Sequence, residues 1–194
     1  MQIQPLAKTR RFFRSIRLER DFQLPEALAG YNLTPVVRQI LIRILDSLEG
    51  HSSDRALTLT GPYGSGKSAF ALFLASLLQA PSDSRNPACQ ILATQDASLW
   101  ERFSNLENIS LLPVVLTLRR ASLSQALLEG MQGVAKRIGG AASENLAQAL
   151  EADLRTAPLD TRRVLERLVA LSDLACTQGY RGILLILDEL EPAN

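Results

Sequence analysis

The sequence predicts an α/β fold in three layers, a mostly parallel sheet flanked by helices. Two observations predict it. Gly61-Pro62-Tyr63-Gly64-Ser65-Gly66-Lys67-Ser68 matches the phosphate-binding pattern G-x-x-x-x-G-K-[ST], and it sits between a strand-like stretch and an apolar helix-like one. Further on, Gly182-Ile183-Leu184-Leu185-Ile186-Leu187-Asp188-Glu189 places five large apolar residues before two carboxylates. That pattern suits a strand buried on both faces, with its acidic end at the carboxyl rim where open α/β sheets bind ligands.

The elements follow in chain order. Residues 1–24 are locally basic, with Lys8, Arg10, Arg11, Arg14, Arg17 and Arg20 interleaved with Phe12, Phe13, Ile16 and Leu18. They read either as an arm that binds nucleic acid or a partner, or as an amphipathic segment that packs its apolar side. Residues 1–32 are therefore expected to form an amino-terminal arm, and residues 33–194 the nucleotide-binding domain. Thr34-Pro35 starts a helix, with Thr as N-cap and Pro in the first turn. Val36, Val37, Ile40, Leu41, Ile44, Leu45 and Leu48 continue it at helical spacing, and Gly50 ends it.

Ala56 to Thr60 reads as a strand entering the glycine-rich loop, and Ala69 to Leu78 as the helix leaving it. Pro81 to Pro87 reads as a loop, and Leu99 to Phe103, around Trp100, as a short helix. Pro113 to Leu118 predicts a second buried strand, with Arg119-Arg120 at its carboxyl rim. Ser122 and Gln125 have capping-box spacing and start a helix to about Ile138. Gly139-Gly140 breaks it. A short helix spans about Ser143 to Asp153. Asp160 then caps a helix carrying Val164, Leu165, Leu168, Val169, Leu171 and Leu174, and Gly179 ends that helix before the Asp188 strand.

The loop's chemistry is that of a phosphate cradle. Backbone N–H groups at a helix N-terminus supply donors and the positive end of a dipole, and glycines let the backbone come close. Gly61 to Ser68, including Pro62, Tyr63, Gly64, Ser65 and Gly66, are thus the candidate cofactor-binding residues. Lys67 is expected to reach the β- and γ-phosphates. The Ser68 hydroxyl is expected to ligate Mg²⁺, with Asp188 as the second metal ligand. Glu189 is the candidate general base that orients the attacking water, so Lys67 and Glu189 form the candidate catalytic pair.

Composition bounds the rest. The chain has 194 residues, 46% of them apolar, enough for one α/β domain with a core. Its net charge of +1 supports neither nucleic acid nor membrane as a partner. No apolar run approaches the roughly 20 residues of a membrane span. Residues 1–20 lack the apolar region of a secretory signal. Cys89 and Cys176 share no metal-ligand spacing and read as reduced packing residues of a cytoplasmic protein. His51 is the only histidine and lies in a polar stretch, which argues against a histidine-based centre.

With both motifs in view, the chain resembles the AAA+ branch of the P-loop NTPases. It looks closest to origin-recognition and STAND-like members and to large ATPases of bacterial phage-defence islands. The resemblance rests on Leu33 to Leu78 and on Val164 to Leu190. It implies an ATP- and Mg²⁺-binding module, ATP-hydrolysing in its complete form, that acts as a switch or motor for attached domains or partners, with self-association or a protein partner expected. It also implies that the sheet continues past Glu191-Pro192-Ala193-Asn194, so that the chain reads as an amino-terminal fragment whose sensor and arginine-finger residues lie beyond it. Two other readings stay open. One is a P-loop kinase of a small molecule, although no arginine-rich lid is evident. The other is a non-catalytic remnant that only binds a partner.

Overall fold

The computed structural model describes residues 18–22, 24–80, 83, 85–106, 109–118, 122–156 and 160–188. Its elements are α1 (Leu18–Asp21), a 3₁₀ turn (Pro25–Leu28), α2 (Pro35–Leu48), α3 (Lys67–Gln79), α4 (Pro87–Gln95), α5 (Ala97–Asn105), β1 (Leu111–Thr117), α6 (Leu123–Ile138), α7 (Ala141–Leu154), α8 (Thr161–Thr177) and β2 (Gly182–Asp188). The fold is α/β and mostly helical.

The sheet has two parallel strands, in register from Leu111 opposite Gly182 to Thr117 opposite Asp188. Parallel strands need a long crossover, and α6, α7 and α8 supply it. Side chains alternate between the two faces, so each strand serves two cores. Leu112, Val114 and Leu116, with Ile183 and Leu187, pack against α6, α7 and α8. Leu111, Val115, Leu184 and Ile186 pack on the other face against the core built from α2, α3, α4 and α5. Helices therefore cover both faces, which is why the two strands read as continuous apolar runs.

Local chemistry sets the helix starts. Thr34 Oγ1 accepts from the Val37 amide (3.3 Å), and Asp96 Oδ1 accepts from the Leu99 amide (3.1 Å). Ser122 Oγ accepts from the Gln125 amide (3.2 Å), and Asp160 Oδ1 from the Arg162 amide (3.0 Å). Each removes one unsatisfied donor from a first turn. The Gln125 side chain does not close the capping box; its Nε2 donates to Glu129 Oε1 instead (2.8 Å).

Two expectations need correction. Ala56 to Thr60 forms no ladder with β1 or β2; Leu57 is 39% exposed and only Leu59 leans on the first core. A strand exists only where a partner takes its backbone groups, and the neighbouring residues are tied elsewhere. Arg55 Nη1 donates to Ser47 Oγ (2.6 Å) and to Ser52 O (3.0 Å), holding this stretch to the end of α2. Pro87, assigned to a loop, is instead the first residue of α4, with Asn86 Oδ1 accepting from the Ala88 amide (2.9 Å). Most of the expected amino-terminal arm, residues 1–17, lies outside the described residues; Leu18, Leu28 and Leu33 are buried in the first core. Val36 on α2 is exposed, and so are Leu165 and Val169 on α8.

Candidate functional site

The glycine-rich loop leads into α3 at one end of the sheet. Ser65 donates its amide to Pro62 O (3.3 Å), which closes a tight turn with Tyr63 and Gly64 at its centre. Gly64 has φ +79° and Gly66 has φ +86°, a region that L side chains rarely adopt. Among the described residues, a Cβ at either position would meet nothing within 4 Å, so backbone conformation calls for glycine there. Tyr63 projects from the turn and is 94% exposed.

Gly66 is the N-cap of α3 and offers no side-chain acceptor. The first ladder bond runs from the Phe70 amide to Gly66 O (2.9 Å), so the preceding amides of the first turn have no intrahelical acceptor. These donors and the helix dipole make the loop end of α3 a favourable position for an anion. Lys67 folds back over the loop. Its Nζ donates to Gly61 O (2.9 Å), Pro62 O (3.0 Å) and, at 3.4 Å, Ser65 Oγ.

The second part of the site arrives from far along the chain. Asp188 ends β2, and its backbone carbonyl accepts from the Leu118 amide (3.0 Å), which fixes the rim. Ser68 Oγ donates to Asp188 Oδ2 at 2.8 Å, across a separation of 120 residues. The two residues expected to share a metal ion thus touch one another, both half-buried beside the loop. A hydroxyl and a carboxylate oxygen are hard donors suited to Mg²⁺. Glu189, Arg119 and Arg120 lie outside the described residues.

The sequence reading overlooked Thr117. It stands opposite Asp188 in the register, at the same carboxyl rim. A hydroxyl residue closing an otherwise apolar strand is the signal that could have found it.

One other cluster of potential metal ligands occurs among the described residues: Asp46, Glu49 and His51 at the end of α2. Its carboxylates are already engaged. Arg102 on α5 donates from Nη2 to Asp46 Oδ1 (2.8 Å) and Glu49 Oε2 (2.6 Å). Hydrogen bonding to Arg102 holds the Glu49 carboxyl below its ordinary pKa. The guanidinium occupies the oxygens that an ion would need, and the cluster reads as a tie between α2 and α5.

No protein-family model, curated protein or solved structure matches this chain. Among the described residues, no helix is long and apolar enough to cross a membrane.

Proposed function

We propose that this chain is an ATP-binding module of the AAA+-like P-loop class, a three-layer domain that takes Mg-ATP at the Gly61–Ser68 loop. In this reading the loop amides and Lys67 hold the phosphates. Ser68 and Asp188 hold Mg²⁺, which supplies charge neutralisation at the phosphates. Glu189 is assigned as the base for hydrolysis. Nucleotide state acts on attached domains or a partner, and the compartment is the cytoplasm.

The observation that carries the reading is the Ser68–Asp188 hydrogen bond. Two motifs, each recognised separately in the sequence, meet at 2.8 Å. An apolar strand ending in an ordinary solvated carboxylate would give no reason for that meeting.

The test is a titration of the folded chain with a fluorescent ATP analogue, with and without Mg²⁺, beside Lys67→Ala. Saturable binding in the parent, strengthened by Mg²⁺ and lost in Lys67→Ala, is expected. Equal affinity in the two proteins, or none in a folded parent, would overturn the proposal.

A further inference from the structure

A cavity of about 240 Å³ opens beside β1, reaching the carboxyl rim at Thr117. Its wall contains Val115, Leu116 and Thr117 in succession. Consecutive strand residues point to opposite faces of a sheet, so a single space that touches all three runs along the strand's edge. Phe22 closes it from the first-core side, and α6 from the other.

Hydrogen-bond parity says what that edge offers. The Leu118 amide bonds to Asp188 O, so even-numbered residues of β1 turn their backbone groups toward β2 and odd-numbered ones turn outward. Pro113 is an outward position with no N–H to offer. Val115 is the next, and it presents an amide and a carbonyl to the cavity.

The α6 wall explains the available room. Gly130 is forced by close packing, since a Cβ there would lie 1.9 Å from Leu116 Cδ2. Gly133 is not forced: among the described residues, a Cβ there would have only Arg137 Nη1 within 4 Å, at 3.8 Å. An interior helix glycine costs about 1 kcal/mol relative to alanine, and here no packing contact accounts for it. Arg137 makes no ion pair among the described residues, and partial desolvation lowers its pKa while leaving it charged. Glu129, the wall's other charge, lies two turns earlier, ~12 Å along the axis, and accepts from Gln125.

We infer that this cavity is a binding site for a small organic anion with a flat apolar body. Arg137 takes the acid group, Phe22 and the β1 side chains enclose the body, and Val115 supplies backbone hydrogen bonds. The volume falls below the ~300–1,000 Å³ of sites for drug-sized ligands, which selects a molecule of about one ring. The inference does not depend on nucleotide binding at the loop.

Fluorine NMR of the folded full chain, with 4-fluorobenzoate as probe and 4-fluorobenzamide as its neutral counterpart, tests it. Saturable broadening of the benzoate is expected, with affinity about tenfold or more above the amide, a difference of ~1.4 kcal/mol. Arg137→Met is expected to remove that preference. Gly133→Leu, whose Cβ meets no backbone atom within 4 Å among the described residues, is expected to fill the cavity and abolish binding while melting no lower than the parent. Equal broadening by the two probes, no broadening by a folded parent, or binding unchanged in both variants would overturn the inference.

Discussion

At the scale of single residues, Ser68 and Asp188 make the sharpest distinction. Asn at position 188 can still accept the Ser68 hydrogen bond but loses the negative charge. Asp188→Asn is therefore expected to preserve the fold and cut the Mg²⁺-dependent part of nucleotide affinity about tenfold or more, ~1.4 kcal/mol, leaving affinity in EDTA nearly unchanged. Parallel titrations with Mg²⁺ and with EDTA decide this. The two glycines of α6 give a second contrast. Gly130→Ala must displace the buried Leu116 side chain, whereas Gly133→Ala makes only an ordinary contact with Arg137 Nη1 among the described residues and gains helix propensity. The Gly133 variant is expected to be the more stable of the two by about 1–3 kcal/mol in urea melts, the range for an overpacked core methyl.

At the scale of elements, helices are joined by a few charged ties. Asp153 on α7 is only 5% exposed and accepts from Arg167 Nε (2.6 Å) and Arg163 Nη1 (3.3 Å) on α8. Asp153→Ala leaves both guanidinium groups without this acceptor and is expected to cost about 1.5–3 kcal/mol, the range for hydrogen bonds to charged groups. The tie from α2 to α5 depends on pH. Glu49 titrates lower when folded than when unfolded, because Arg102 bonds its ionised form. Its contribution is therefore complete above the ordinary glutamate pKa of about 4.3 and is lost as pH falls through the lower folded value. Acid melts of Glu49→Gln should show a shallower loss of stability than the parent over that window; identical slopes would contradict the tie.

Element boundaries were legible where their cause is local. Thr34, Ser122 and Asp160 announce helix starts because each cap is made within three residues. Asn86-Pro87 carries the same signal as Thr34-Pro35, but its loop-like neighbours hid it. Ala56 to Thr60 failed for the opposite reason: a strand depends on a partner elsewhere in the chain, and local alternation cannot name one. Both site motifs were visible in the sequence, whereas their meeting through Ser68 and Asp188 belongs to the tertiary structure.

At the scale of the whole molecule, the two cores share one thin sheet, and the thiols report on whether it stays closed. Cys89 is buried in the first core, and burial pushes its thiol up to about 12; Cys176 is exposed at the end of α8. A thiol reagent at neutral pH should therefore modify Cys176 quickly, and Cys89 only at the rate of unfolding. Counting modified thiols with and without denaturant checks this, and two fast thiols in native buffer would rule it out. The separation of Ser68 from Asp188 also sets a timetable. Their hydrogen bond spans 120 residues, so a nascent chain can form α2 to α5, with α3 in place, before β2, which supplies Ile186 to the first core and ends in the carboxylate, has left the ribosome. Any affinity that requires both groups would then appear late and abruptly during synthesis, as a signature of completed topology and not of early helix formation.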